Sequence, residues 1–307
     1  MHEGSEKALS ANPLVFAHVS DLHLPHEPHL SWAQRFSKRQ LSVASWHRRR
    51  RAVQRPEILE ALREELRACH PDHVVVTGDI TNFSLPAEFA QAQRWFADLA
   101  PAGMLSAVPG NHDALVPVPH AEGLGRLAAY MTDEDGWPYV RRCGEVAFIG
   151  LKSALPTAPL LASGRIGEMQ LARLEKRLKE EGAAGRTRVV LLHHPPVDGA
   201  VSRRKALVDR AALRAVLLRA GAELVLHGHA RHARLDSVPG PHGPIPVLCV
   251  PSSSAWPNPH DEAARWQLVS LPAAGGRWAG VKVRQWSPAA KGFVDAASYE
   301  LRLPEVH

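Results

Sequence analysis

Aspartate, asparagine and histidine residues occur in five short clusters, and each cluster follows a short apolar run. Their carboxylate, carboxamide and imidazole groups form the ligand set that binds Mn, Fe, Co or Zn. A carboxylate can also bridge two ions that share an activated water and clamp a phosphoryl group. The chemistry indicated is therefore metal-assisted hydrolysis. The clusters are Asp21 with His23, Asp79, Asn111 with His112, His193 with His194, and His227 with His229.

Each cluster also has a simpler explanation. A single histidine after an apolar run is often a core or surface residue that makes one hydrogen bond. Asp21 and Asp79 could cap helices, and Asn111 could form a turn. These explanations account poorly for five clusters at equivalent places in one chain, so the repetition favours a shared site.

The apolar runs alternate with helical patterns, which predicts an α/β fold. Residues 14–19 have the pattern of a buried strand, and residues 56–69 have a first-turn proline followed by leucines at helical spacing. Similar strands and helices follow as far as His229. Because ligands collect at the carboxyl ends of strands in open α/β sheets, we expect the five clusters to converge there.

Two regions depart from this alternation. Beyond residue 240, short β-like runs predict antiparallel strands that close a second sheet. Residues 24–55 predict a basic, lid-like insertion over the face where the first strand ends. No linker divides the chain, so residues 1–307 are expected to form a single domain. The amphipathic part of the insertion would consist of Trp32, Phe36, Leu41, Trp46 and the arginines at 48–51.

The composition is typical of a globular protein, with 45% hydrophobic residues. No apolar stretch approaches the ~18 residues of a membrane span, and residues 1–13 lack a signal-peptide core, which predicts a cytoplasmic location. Cys69, Cys143 and Cys249 are odd in number and widely spaced, as expected for reduced thiols. Much of the net charge of +6 lies in the basic run at residues 37–51, which is typical of a solvated face or of a surface that contacts a polyanion or an acidic membrane.

The ordered motifs resemble those of the calcineurin-like metallophosphoesterase family, most closely the bacterial branch that includes class III cyclic-nucleotide phosphodiesterases. The resemblance implies a two-sheet α/β sandwich of four layers, with a metal site at the carboxyl ends of the strands. It covers the chain from Asp21 to His229. The matching motifs are DLH at 21–23, GD at 78–79, GNHD at 110–113, HHPP at 193–196 and GH at 228–229.

The same resemblance implies two divalent metal ions, Mn, Fe or Zn. His193 is preferred to His194 because the family ligand usually precedes x-Pro. His227 lies before the glycine of its motif and is expected in the core or in support of a ligand. The implied ligands are Asp21 and His23 for the first ion, Asp79 as the bridge, and Asn111, His193 and His229 for the second.

Catalytic roles also follow from the resemblance. His112 would protonate the leaving oxygen, with Asp113 either orienting its ring or serving only as a turn former. The family's last motif, GHxH, is altered because Arg231 stands where a second histidine is expected. Arginine has no lone pair for a metal. We therefore expect His232 or water to complete the first site, and Arg231 to face solvent or bind the substrate phosphate.

The predicted function is metal-dependent hydrolysis of a phosphodiester or phosphomonoester, with a nucleotide or a lipid-linked compound among the candidate substrates. One alternative is a catalytically weakened scaffold that acts as a binding protein, although the presence of His112 argues against it. Another is a binder of nucleic acid or of anionic membrane through the insertion. Nucleic acid is disfavoured because aromatic and basic residues do not interleave along a strand. The sequence gives no indication of the oligomeric state.

Overall fold

The computed structural model describes residues 13–132, 134–273 and 276–305. Two six-stranded mixed sheets lie face to face, and helices cover their outer faces. The predicted α/β sandwich of four layers is confirmed. Of residues 1–13, which were expected to lack a signal-peptide core, residues 1–12 lie outside the described residues. Within them, no helix combines the length and the apolar character needed to cross a membrane.

The described residues contain twelve strands and eight α-helices. The strands are β1 (Leu14–Val19), β2 (His73–Val76), β3 (Leu105–Ala107), β4 (Tyr139–Cys143), β5 (Val146–Gly150), β6 (Thr187–Leu191), β7 (Leu224–His227), β8 (Arg234–Gly240), β9 (Gly243–Cys249), β10 (Arg265–Leu271), β11 (Trp278–Ser287) and β12 (Gly292–Arg302). The helices are α1 (Trp32–Arg35), α2 (Lys38–Ser45), α3 (Arg51–Val53), α4 (Pro56–Cys69), α5 (Pro86–Leu99), α6 (Ala128–Met131), α7 (Glu168–Ala183) and α8 (Arg210–Ala220). A π-helical turn, Trp46–Arg50, joins α2 to α3.

Each sheet combines parallel strands in the middle with antiparallel strands at an edge. The first sheet has the order β12-β11-β10-β1-β2-β3 and the second β4-β5-β6-β7-β9-β8. Strands β10 to β12 extend the first sheet, with β10 antiparallel to β1. The expectation that the carboxyl-terminal strands close a second sheet is therefore wrong for these three. A period-two pattern indicates a strand but does not specify its partner, and here β10 covers the edge that β1 would otherwise expose.

The core follows from the residue patterns of the elements. Inward-facing side chains fill the space between the sheets, where the rings of Phe16 and Phe148 meet edge to face with centroids 5.4 Å apart. Helix α4 buries Leu62 and Leu66 against the first sheet, and α7 buries Leu174 against the second. Both helices repeat leucine at intervals of three and four residues, so each presents one apolar stripe to its sheet.

Residues 24–55, which we call the roof segment, connect β1 to α4. The segment is fixed to the loop after β2, where Arg39 donates hydrogen bonds to the carbonyl oxygens of Phe83 and Ser84 at 2.9 and 2.7 Å. Trp46 was expected in the amphipathic part of an exposed lid, but it is buried because its ring packs against Phe83, with centroids 6.2 Å apart. Trp46 therefore anchors the roof segment.

Candidate metal centre

The carboxyl ends of β1, β2, β3, β6 and β7 meet at one edge of the sandwich, as predicted. The predicted metal ligands follow these strands directly. Two triads of side chains each bring their ligand atoms within 4.8 Å of one another. Asp79 belongs to both triads. The first consists of Asp21, His23 and Asp79, and the second of Asp79, His193 and His229.

The carboxylate of Asp79 lies at the centre of this arrangement. Its Oδ1 accepts a hydrogen bond from the backbone N–H of His112 at 2.7 Å. Its Oδ2 lies 3.8 Å from Nε2 of His23 and 3.5 Å from Nε2 of His193. Burial raises the pKa of the Asp79 carboxyl to about 7, so a bound cation would stabilise its charged form. One oxygen is thus held by the backbone while the other faces both triads, as a bridging ligand requires.

Three histidines of the triads each use one ring nitrogen to bind a main-chain carbonyl oxygen. This bond fixes the ring and directs the other nitrogen toward the triads. The donors and acceptors are Nδ1 of His23 with Thr81 at 3.3 Å, Nδ1 of His193 with Thr77 at 2.7 Å, and Nε2 of His229 with Lys205 at 3.0 Å.

The second triad has the character of a cation site. Nε2 of His193 and Nδ1 of His229 face each other 3.1 Å apart, which requires a shared proton or a metal cation between them. Burial lowers the pKa of His193, but the carboxylates of Asp79 and Asp21 outweigh burial and raise the pKa above its ordinary value. The negative charge here favours a cation, and the mixed oxygen and nitrogen donors fit Mn, Fe or Zn.

The neighbouring residues of the motifs take different places. Oδ1 of Asn111 lies 3.3 Å from Nε2 of His193, which sets its carboxamide beside the second triad. Both ring nitrogens of His194 are engaged, with a serine hydroxyl and a main-chain carbonyl, so His193 rather than His194 belongs to the triad. His227 is buried, donates from Nδ1 to the carbonyl oxygen of Gly228 at 2.9 Å and lies outside both triads.

The ligand loops have an uncommon backbone. Four predicted ligands have left-handed φ angles, a conformation that costs non-glycine residues on the order of 1–3 kcal/mol. Glycines allow these loops to pack closely, since a Cβ atom would overlap Asp79 if added to Gly110, and Ser20 and Asp21 if added to Gly228. The left-handed backbone at these residues and the close packing of the loops at Gly110 and Gly228 together position the metal ligands. The four residues are Asp21 (49°), His23 (44°), Asp79 (51°) and His229 (68°).

His112 lies beside the triads, with its ring centroid 5.0 Å from that of His23. Nδ1 donates to the carbonyl oxygen of Asn82 at 2.9 Å, and Nη1 of Arg50 lies 3.1 Å from both Nδ1 and Nε2. Because the Nδ1 proton is directed to Asn82, Nε2 is the nitrogen that can accept from Arg50. Burial, followed by the charge of Arg50, holds the pKa of His112 well below its ordinary value. The neutral imidazole therefore accepts a hydrogen bond from a buried guanidinium group.

Arg50 is a candidate functional residue that the sequence did not distinguish from its neighbours. It ends the π-helical turn, its side chain is buried, and Nη2 donates to the carbonyl oxygen of Ser42 at 2.9 Å. Arg48 and Arg51 are exposed. Four consecutive arginines give no periodic signal, so only the path of the backbone shows which one faces the centre.

Among the described residues, Asp113 makes no hydrogen bond to the ring of His112, so its contacts favour the expected alternative of a turn former over a residue that orients the ring. Its carboxylate accepts hydrogen bonds between 2.7 and 3.1 Å from the backbone N–H groups of Ile80, Thr81 and Gly110, and from the Thr81 hydroxyl at 2.9 Å. Asp113 therefore ties the GNHD loop to the loop after β2. This contact pattern agrees with the alternative of a residue that shapes a turn.

Of the two groups expected to complete the first site, His232 or water, His232 lies outside the first triad. Its side chain is 62% exposed, and Nδ1 lies 3.4 Å from Oε1 of Glu262. Arg231 lines the cavity beside the triad, with Nε 3.4 Å from Oδ1 of Asp261. His232 is one residue beyond the position of the expected ligand. The loop does not bring its side chain back to that position, because Glu262 lies beside His232 and Asp261 lies beside Arg231. Three residues form the first triad, whereas Asn111 lies next to the second.

A cavity of about 340 Å³ opens over the two triads. The roof segment forms part of its wall, and apolar residues such as Leu41, Leu160 and Leu161 form another part. The cationic side chains would attract an anionic substrate, and the volume is within the range of small-molecule sites. The cations that line the cavity are Lys38, Arg49, Arg50, Arg204, Lys205 and Arg231.

Comparisons with known proteins agree with this geometry. Residues 14–230 match the family model of the calcineurin-like phosphoesterases. A probable cyclic nucleotide phosphodiesterase of Synechococcus sp. is 26% identical over 207 residues, which are 66% of this chain and 72% of the relative. A dimetal phosphatase from Danio rerio has a similar fold, with a TM-score of 0.59 and 14% identity over 95% of this chain and 99% of that one. A purple acid phosphatase from yellow lupin seeds has a TM-score of 0.56 and 13% identity over 95% of this chain and 54% of that one.

Proposed function

Because the chain belongs to the calcineurin-like phosphoesterase family, as its motifs predicted, we propose that it hydrolyses a phosphodiester or phosphomonoester through a dinuclear metal centre. The observation that carries the proposal is the position of Asp79, whose carboxylate is shared by two triads of metal-ligating side chains. The donor set supports Mn, Fe or Zn. The free cysteines at 69, 143 and 249 support a cytoplasmic location.

In this proposal, Asp79 would help to hold both ions, and the bound ions would supply an activated water and Lewis-acid stabilisation of the phosphoryl oxygens. Arg50 and Arg231 bind phosphoryl oxygens, since a guanidinium group can bind them through two parallel hydrogen bonds. When Arg50 pairs with a phosphoryl oxygen, Nε2 of His112 would take up a proton from water and donate it to the leaving oxygen, which returns the ring to its neutral form. The negative charge of a phosphoryl group raises the proton affinity of His112 against the effects of burial and of Arg50.

A phosphodiester is the better candidate within this class. The cyanobacterial relative carries the name of a cyclic nucleotide phosphodiesterase. The cavity also offers an apolar wall at Leu41, Leu160 and Leu161, which can contact a second ester substituent. A catalytically weakened binding protein is the second candidate, favoured by the replacement of a histidine ligand by Arg231. Measured turnover separates the two.

The direct test is hydrolysis of bis(p-nitrophenyl) phosphate by the full chain. Protein treated with a chelator is expected to be inactive, because turnover depends on the two ions. Added Mn is expected to restore activity better than added Fe or Zn. Parallel assays with p-nitrophenyl phosphate compare diester with monoester. Activity that survives complete metal removal would contradict the proposal, and a lack of turnover with all three metals would favour the weakened binding protein.

The two metal sites are expected to differ in affinity. The first triad has Arg231 beside it, which repels a cation and supplies no lone pair, so the first ion should bind more weakly than the second. Arg231→His should strengthen the weaker site by roughly tenfold or more. Titration calorimetry of metal-free protein with Mn measures both affinities.

Two matched variants accompany that titration. Arg204→His makes the same change elsewhere on the cavity wall, and His232→Ala removes the exposed histidine; neither should alter metal affinity. Equal affinities in the unmodified protein, or no change in Arg231→His, would show that Arg231 does not limit the first site.

A further inference from the structure

Large apolar side chains are exposed on the roof segment and on the loop that is hydrogen-bonded to it. Trp32 and Phe36 of the roof segment are 77% and 87% exposed, and Leu160, on the loop of residues 155–162, is 72% exposed. Leu41 is 47% exposed and, like Leu160, also lines the cavity. Apolar groups gathered in one exposed area mark a docking surface, whereas scattered ones are ordinary.

Hydrogen bonds join the segments that carry these residues. Nζ of Lys38 donates to Oγ1 of Thr157 at 2.7 Å and to the carbonyl oxygen of Leu161 at 2.6 Å. The backbone N–H of Ala162 donates to the carbonyl oxygen of Arg204 at 2.9 Å. The roof segment, the loop and the 3-10 turn that contains Arg204 therefore form one continuous surface around the mouth, which we call the rim.

The rim is strongly basic. The roof segment contains eight lysine and arginine residues and a single acidic residue, Glu27. Two of the eight, Arg39 and Arg50, are buried, whereas Arg35, Arg48 and Arg51 are exposed. The guanidinium carbon of Arg35 lies 5.2 Å from the ring centroid of Trp32. Exposed aromatic residues among arginines are typical of surfaces that contact the headgroup region of an anionic membrane.

We propose that the rim docks on an anionic lipid bilayer, with the mouth of the cavity facing the headgroups. Trp32, Phe36 and Leu160 enter the boundary between headgroups and acyl chains, and the surrounding arginines pair with lipid phosphates. A second copy of the chain could cover the apolar residues, but it would bring two basic rims together. Charge complementarity therefore favours the bilayer.

Cosedimentation of the full chain with lipid vesicles tests this proposal. The protein should bind vesicles of phosphatidylcholine mixed with phosphatidylglycerol, bind vesicles of phosphatidylcholine alone much more weakly, and dissociate at high salt. Trp32→Ser with Phe36→Ser should weaken binding by about a hundredfold, since each aromatic side chain that is buried contributes on the order of tenfold. Trp278→Ser changes a tryptophan that is 56% exposed on β11 and should bind normally.

Three outcomes would overturn the proposal: no binding by the unmodified protein, unchanged binding by the double variant, or an equal loss in Trp278→Ser. Sedimentation velocity adds a fourth. If the unmodified protein is a dimer and the double variant is a monomer, a second copy of the chain is the partner of the rim. Hydrolysis of bis(p-nitrophenyl) phosphate without vesicles should be equal in the unmodified protein and the double variant, because neither residue lines the cavity. This assay separates failure of docking from failure of the proposed hydrolase.

Discussion

Asp79→Asn is expected to reduce turnover by about a thousandfold and to lower bound metal below two ions per chain. The bridging oxygen belongs to both triads, so the substitution weakens both sites at once. Loss of this bridge removes about 4 kcal/mol of transition-state stabilisation, which corresponds to the thousandfold change. Steady-state kinetics with bis(p-nitrophenyl) phosphate and elemental analysis of the purified variant measure the two effects.

Thermal unfolding shows whether the Asp79→Asn variant is folded. Burial raises the pKa of Asp79 to about 7, so its ionisation destabilises the metal-free protein as pH rises above the ordinary carboxyl range. The neutral amide removes this penalty, and the metal-free variant should be at least as stable as the metal-free unmodified protein at pH 8. Asp295→Asn, whose side chain is 85% exposed on β12, is the matched control. Full activity with two bound ions in Asp79→Asn would contradict a bridging role.

His112→Ala is expected to slow hydrolysis by roughly a hundredfold for substrates with poor leaving groups. The loss should be much smaller for p-nitrophenolate, because a good leaving group departs without a proton. Bound metal should be unchanged, since the ring of His112 belongs to neither triad. A series of aryl phosphodiesters with leaving groups of increasing pKa measures the difference.

The control for this series is His120→Ala, which removes an exposed imidazole and should leave every rate unchanged. An equal loss on good and poor leaving groups would show that His112 positions the substrate through Arg50 rather than protonating the leaving oxygen. Loss of bound metal in His112→Ala would instead indicate that the ring supports the backbone N–H that binds Asp79.

The elements that carry the site could be predicted because their signals are local. A buried strand such as β1 is a continuous apolar run, and the polar residues after it mark its carboxyl end. Helix α4 begins at a proline and repeats leucine at helical spacing. Parallel pairing aligns the strand ends within each sheet, and the packing of the two sheets face to face brings Asp21 and His229 together although they are 208 positions apart. The two residues are in contact, with the backbone N–H of His229 bonded to Oδ2 of Asp21 at 3.1 Å.

The remaining features depend on contacts between distant parts of the chain. The pairing of β10 with β1 is decided by which sheet edge is open, which no local pattern records. Arg50 faces His112 because the roof segment is fixed to the loop after β2. His232 turns away from the first triad because Glu262 lies near its ring. In each case a partner far away in the sequence determines where the side chain points.

In the proposed metal centre, two ions would lie on either side of Asp79. The most direct measurement is anomalous X-ray scattering from crystals grown with Mn, recorded above and below the metal absorption edge. We expect two anomalous peaks that share Asp79, with lower occupancy at the peak next to Asp21 and His23 than at the peak next to His193 and His229. A single peak, or two peaks that do not both contact Asp79, would contradict it.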